Sequence, residues 1–292
     1  MDDHRAFQER LRPIRDILER ARPREILDLG TAQGGFALAL QDLAPITAID
    51  RRDHGWPRSD RISWELSRMD PEGIMDLPRF DAILALSVLH HFEDPLGGIE
   101  ALRRRARKIL ILEVPHPEEI LTKIASKHRL AEIYREAQAV AAGMIIETPS
   151  TRQPDRFLRS VFIIPPLLIG RAEHGAGHHA KTQEKAGDLF EEALGYRPFP
   201  GSLNIRTDHP NDLEDPHAIV KGNRRTYRMW PARIQGLEIP AHLMTFEARP
   251  KRPILELIAP IRLRDELDLS TPIRIEVMSE IIPRPQGAHQ VS

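Results

Sequence analysis

The chain has 292 residues, 41% of them apolar and 29% charged, an ordinary globular composition that suits one large domain or two smaller ones. Its formal net charge of −1 excludes a global electrostatic pull toward nucleic acid or anionic lipid. With no cysteine there are no disulfides, thiolate nucleophiles or zinc–thiolate sites. The opening stretch "MDDHRAFQERLRPIRDILERARPREI" is charged throughout, without the apolar centre of a signal peptide, and the most apolar later run, "VFIIPPLLIG", is short and broken by two prolines. A soluble, cytoplasmic protein without a membrane partner is the expectation.

Apolar residues recur at helical spacing from about Phe7 to Ala21, and the helix they predict ends near Pro23. "EILDLG" reads as a strand, "TAQGGFALALQDL" as a glycine-rich turn entering a helix, and "PITAID" as the next strand. "FDAILALSVL", a helix from about Pro95 to Arg107, and "KILILEV" continue the alternation, which at this pace indicates parallel β-α units in a doubly wound α/β domain. A long helix over about Glu118 to Ala142 and two antiparallel strands, "GMIIETPS" and "RSVFIIP", close this part near residue 165. The basic run "LRRRARK", Leu102 to Lys108, falls late in a helix, where cations are favourable; it reads as a solvated helix end rather than a nucleic-acid contact.

From about residue 166 the texture changes to prolines, glycines and short β-branched segments, interrupted by one helix near Ala186 to Leu194. Residues 166–292 are therefore expected to form a second, β-rich domain, a small barrel, behind an α/β domain of residues 1–165.

In "DLGTAQGGF", Asp28, Gly30 and Gly34 stand where a strand turns into a helix, and Asp50 closes the next strand, placed to accept the hydroxyls of a ribose. Together with "FDAILALSVLHHFEDP", these motifs resemble the class I S-adenosylmethionine-dependent methyltransferases over roughly the first 165 residues. The resemblance implies that the glycine turn cradles the methionine moiety, that Asp50 binds the ribose, and that Met69 or Asp70 meets the adenine. Ala32 stands where the family commonly has a central glycine. A dehydrogenase reading of the same turn is disfavoured by "LSVLHHFEDP". His90 and His91 follow the fourth strand, where substrates sit in this fold; one is a candidate general base, the alternative being packing and loop capping. The methyl acceptor is left open.

"IGRAEHGAGHHA", "GYRPFPGSLNI", "WPARIQGLEIP" and "ILELIAPIRLRDEL" resemble, in this order, the CTP-dependent riboflavin kinases, a cradle-loop barrel family, over about Pro166 to Val277. The resemblance implies that Ser202 and Asn204 coordinate Mg²⁺ beside the phosphates of CTP. It implies too that Gly175 and Gly177 wrap those phosphates, that Glu256 faces the flavin, and that Ile261, Arg262, Leu263 and Arg264 lie beside the nucleotide. Thr245 corresponds to a flavin-contacting threonine. Side chains two apart on a strand share a face, and hard oxygens suit Mg²⁺; capping of the turn by short polar side chains is the alternative for Ser202 and Asn204. The family's third loop glycine and aromatic pair are replaced by His179, Ala180 and Lys181. A metal site at His174, His178 and His179 is disfavoured, because a glycine-broken loop fixes ligands poorly. The resulting expectation is a bifunctional transferase that phosphorylates riboflavin or a related hydroxyl compound and methylates an unknown acceptor. The alternatives are a methyltransferase whose barrel only senses flavin or nucleotide, and a kinase with a scaffolding methyltransferase domain.

Overall fold

The computed structural model describes residues 2–115, 124–141, 145–149, 158–173, 184, 186–207, 213, 215–222, 225–246 and 254–278. The chain divides into two compact units, one over Met1–Pro166 and the other over Leu167–Glu280.

In the first unit the strands are β1 (Ile26–Leu29), β2 (Ile46–Asp50), β3 (Ile62–Leu66), β4 (Phe80–Leu86), β5 (Ala106–Pro115), β6 (Ile145–Pro149) and β7 (Leu158–Ile164). They form one sheet in the order β3-β2-β1-β4-β5-β7-β6. The first five strands of that order are parallel, and β7 runs antiparallel to both β5 and β6. The helices are α1 (Asp2–Ala21), α2 (Gly35–Leu40), α3 (Pro71–Asp76), α4 (Pro95–Arg105) and α5 (Ile124–Val140). Every residue of β1 is buried, and β4 is buried from Phe80 to Ala85. Near-continuous apolar runs of this kind are what a parallel sheet covered on both faces requires. The order reverses between β1 and β4, so a crevice opens at the carboxyl ends of these strands, where ligands bind in open α/β sheets.

The basic run differs from its sequence reading. Arg103 and Arg105 are buried: Arg103 Nε donates to the Pro165 carbonyl (3.2 Å), and Arg105 lies against the Met75 sulfur. Beyond the helix, Arg107 and Lys108 already belong to β5 and lie against the buried Asp81 carboxylate. The run is not a solvated helix end. Burial of these arginines between elements, with their stems as packing surface, overrides the favourable placement of cations at a helix terminus.

The second unit comprises β8 (Leu167–Glu173), α6 (Gly187–Leu194), β9 (Leu203–Thr207), β10 (Ala218–Lys221), β11 (Thr226–Ile234), β12 (Leu237–Phe246), β13 (Ile254–Ile258), α7 (Leu263–Glu266) and β14 (Ile273–Val277). Its sheet runs β10-β11-β12-β13-β9-β8-β14, and β14 also pairs with β11. That last pairing closes a six-stranded antiparallel barrel from which β10 projects as an added strand. Alternation sorts the side chains. Leu203, Ile205, Leu243, Leu255, Leu257 and Ile275 fill the interior, while Phe190 of α6 packs on Tyr227, Met229, Met244 and Phe246 outside.

Candidate functional sites

The crevice of the first unit is a cavity of about 680 Å³. Gly30, Asp50, Met69, Asp70, Arg10, Ser87, His91 and Arg159 are among the residues that line it. Gly30 lies at φ 75°, and a Cβ there would stand 2.5 Å from Val88 Cγ2, so only glycine lets the turn pass beneath the segment after β4. Asp50 Oδ2 accepts from the Ala32 amide (2.9 Å) and Oδ1 from the Arg52 amide (3.0 Å). Two carboxylate oxygens offer about four lone-pair sites, so Asp50 keeps capacity for two hydroxyl donors. Ala32 holds φ 49°, the left-handed conformation that the family's glycine takes at lower cost.

The other residues of this motif play different parts. Asp28 does not line the cavity; it is buried and accepts from the Thr31 hydroxyl (2.7 Å), fixing the turn from below. Burial, opposed by the Thr31 hydrogen bond and assisted by the Asp50 charge, pushes its carboxyl up to about 6. Gly34 caps α2 and stands against Trp64, away from the cavity. Asp70 lines the cavity, but its Oδ1 accepts from Gly73 N (2.8 Å) as the cap of α3. The two histidines part company. Their rings lie 4.0 Å apart, yet only His91 lines the cavity. Partial burial and the Arg51 charge, working against Asp50, hold its imidazole below the ordinary histidine value and so neutral near pH 7.

The barrel brings Ser202, Asn204 and Glu256 together. Gly201, at φ 124°, turns the chain into β9, and the Ser202 hydroxyl donates to Glu256 Oε2 at 2.8 Å. Asn204 is the cross-strand partner of Glu256, so the two side chains share the outer face of the sheet. Glu256 is buried. With its proton directed at this carboxylate, the serine hydroxyl turns its lone pairs away from Glu256. On the other flank of Asn204 stands Glu173, its partner in β8, which is ion-paired to Arg206. Sequence reasoning missed Glu173; the signal lies in the β8–β9 register, which no local motif encodes.

Three further residues sit apart from this group. Thr245 comes directly after Met244, the cross-strand partner of Glu256, and therefore points to the interior face with Leu243. Leu263 is a core residue of the barrel, whereas Arg262 is exposed and contacts Asp265. Arg264 Nη2 donates to the Glu173 carbonyl (2.8 Å) and so lies beside the row of polar residues, with Ile261 half-buried just before α7. Gly175, Gly177 and the loop histidines His174, His178 and His179 lie outside the described residues. Among the described residues there is no group of three or more His, Cys, Asp or Glu able to hold a metal, and no helix long and apolar enough to cross a membrane.

Residues 174–278 match the profile of the CTP-dependent riboflavin kinase family, described as a domain of unknown function, DUF120. The riboflavin kinase of Pyrococcus abyssi is 33% identical over 125 residues, covering 38% of this chain and 58% of that protein. That of Pyrobaculum arsenaticum is 31% identical over 170 residues, covering 51% of this chain and 80% of that protein. The chain belongs to the riboflavin kinase family. Ahead of the kinase-family barrel, residues 3–136 match a methyltransferase-domain profile. Among solved structures, the N-methyltransferase NodS from Bradyrhizobium japonicum WM9 aligns at 18% identity over 56% of this chain and 99% of its own, with a TM-score of 0.41. The chain spans 58% of the length of the Pyrococcus abyssi and Methanocella arvoryzae riboflavin kinases.

Proposed function

We propose that the chain is a bifunctional transferase. Its barrel phosphorylates riboflavin, or a related hydroxyl compound, with CTP; its α/β unit transfers a methyl group from S-adenosylmethionine. The observation that carries the kinase reading is the convergence of the Ser202 hydroxyl, Asn204 and the Glu256 carboxylate on one face of β9 and β13. A hydroxyl, an amide oxygen and a carboxylate are the hard donors that suit Mg²⁺, which needs few protein ligands because waters and phosphates complete its shell. When bound, that ion supplies charge neutralisation for phosphoryl transfer, a reaction that rests on positioning more than on a strong base. Glu256 orients the Ser202 hydroxyl and Asn204 offers its amide oxygen from the neighbouring position.

In the α/β unit, Gly30 gives the cofactor's methionine a close backbone approach and Asp50 accepts from the ribose hydroxyls. When bound, the cofactor would supply the methyl group, and the same cavity would take the acceptor. His91, neutral near pH 7, is placed to take a proton from an O- or N-acceptor.

The test of the kinase reading is riboflavin phosphorylation by the full chain with CTP and with ATP, each with and without chelator. Turnover should require a divalent ion and prefer CTP. Ser202→Thr should retain activity, and Ser202→Ala should raise the Mg²⁺ requirement. Metal-independent turnover would refute the assignment. One observation favours a second reading, a barrel that binds flavin or nucleotide without catalysis: Thr245 points away from Glu256, so one flavin contact implied by the resemblance does not converge on the same face. Binding of either ligand without turnover under any nucleotide would decide for that reading.

A further inference from the structure

Three consecutive residues of the glycine turn are anchored to one stretch of chain, the end of β2 and the segment after it. The Ile49 carbonyl accepts from the Gly30 amide (2.8 Å) and from the Thr31 amide (3.1 Å). Asp50 Oδ2 takes the Ala32 amide, and the indole Nε1 of Trp56 donates to the Ala32 carbonyl at 2.7 Å. Both polar groups of the Ala32 backbone are therefore held by side chains from this stretch. Trp56 does not line the cavity. It is brought back to the turn by a reversal in which the Gly55 amide donates to Asp53 Oδ1 (2.8 Å), a local turn that aspartate favours. Residues 51–55 are all exposed, whereas Trp56 is half-buried. Its ring stacks on Trp64 of β3, with centroids 5.3 Å apart and planes at 11°. Trp64 is fixed in turn: its Nε1 donates to the Pro57 carbonyl (2.9 Å), and it fills the space beside Gly34, where a Cβ would stand 2.5 Å from the indole.

Ala32 needs such a hold. At φ 49° its Cβ crowds the following carbonyl, so an alanine left to itself favours other conformations. Leaving the left-handed region would carry the Ala32 amide away from Asp50 Oδ2. The carboxylate would then keep only the Arg52 amide on Oδ1 to orient it. A hydrogen bond from a half-buried indole is of the size needed to offset this strain. Glycine at the same position would reach the conformation without help, and the indole would have little left to do. The tie between Trp56 and Ala32 thus belongs to a turn that carries a side chain at its centre.

On the methyltransferase reading of this cavity, on which the inference rests, we propose that Trp56 is a positioning residue for the cofactor. By holding the Ala32 carbonyl it keeps residue 32 left-handed, and so keeps the Asp50 carboxylate aimed into the cavity. The competing account gives Trp56 no task beyond covering Trp64. Calorimetry of S-adenosylhomocysteine binding to the full chain separates the two, with Trp56→Phe measured in two backgrounds. Phenylalanine keeps a ring against Trp64 and lacks the N–H donor. In the otherwise unaltered chain, Trp56→Phe should weaken binding at least about fivefold, the population lost when an unsupported alanine must reach the left-handed region. In the Ala32→Gly chain the same substitution should weaken it by less than about twofold, because glycine adopts that conformation unaided. Thermal midpoints recorded on all four chains show what each change does to stability alone. A lowered midpoint with unchanged affinity in Trp56→Phe is the outcome of mere packing and would overturn the proposal. So would an affinity loss in the Ala32→Gly chain as large as in the unaltered one, since the indole would then act independently of residue 32. Failure of the unaltered chain to bind S-adenosylhomocysteine at all would bring down the methyltransferase reading itself and this inference with it.

Discussion

The two candidate sites are built on opposite principles. In the α/β unit the contacts come from the ends of the strands and the segments beyond them: the turn after β1, the last residue of β2, the stretch after β4. Backbone conformation decides there, as the φ values of Gly30, Ala32 and Ser87 show. In the barrel the site lies on the strands themselves, and the pleat decides which side chains meet. Ser202, Asn204 and Glu256 converge because β9 and β13 pair in one register, and a slip of β9 by one residue would turn Asn204 to the interior and part it from Glu256. A crevice at strand ends tolerates exchange of its loop residues, whereas a site on a strand face is tied to the register that also packs the core.

The barrel half of this contrast should give the strongest response to substitution. Asn204→Ala removes from the outer face the amide proposed to meet Mg²⁺ and leaves Leu203 and Ile205 in the interior. Kinase activity should fall by at least about 10²-fold, the scale for loss of a preorganised electrostatic contact, while the thermal midpoint stays within a few degrees. Full activity in this variant would show that the strand face is not the site.

Next in size is a pH effect at the strand-end turn. Asp28 titrates at about 6 in the folded protein and at about 3.9 when unfolded. Between those values the native state binds the extra proton, so this residue's contribution to stability is present at low pH and is lost as pH rises to 6. Asp28→Asn should remove that slope and raise stability at pH 7 by on the order of 2–3 kcal/mol relative to a chain carrying the ionised carboxylate, since one pKa unit is about 1.4 kcal/mol. Denaturant midpoints at pH 4.5 and 7.5 check it; an unchanged slope in the variant would place the charge elsewhere.

Asp50→Ala should weaken S-adenosylhomocysteine binding by about 1–3 kcal/mol, the cost of two charge-assisted hydrogen bonds. Unchanged affinity by calorimetry would remove Asp50 from the site. A smaller change is expected at Ala32, where backbone conformation alone is at stake. Ala32→Gly should relieve the left-handed strain at φ 49° and stabilise the α/β unit by up to about 1 kcal/mol. Destabilisation on thermal unfolding would show that the Ala32 conformation costs nothing.

Much of this was legible in the sequence wherever the signal is local. The glycine turn with Asp50 after the second strand, and the turn "PFPGSLN" entering a strand, carry their geometry in a few adjacent residues. The features that stayed hidden depend on pairing across distance. Nothing local to Arg10 in an amphipathic helix indicates a partner 103 residues away at Glu113. Arg103 and Arg105 read as a solvated helix end, yet both are buried, because a sequence window shows charge but not the elements packed over it. The resemblance sets Thr245 and Glu256 against the same flavin, and only the β12–β13 register shows that the two point to opposite faces.

That one chain carries two chemically independent sites is tested most sharply by crossed substitutions. S-adenosylhomocysteine affinity and CTP-dependent riboflavin phosphorylation should be measured on the full chain, on Asp50→Ala and on Asn204→Ala. Asp50→Ala should lose only the first property and Asn204→Ala only the second. Loss of both properties in either folded variant, or absence of both in the unaltered chain, would contradict two independent sites.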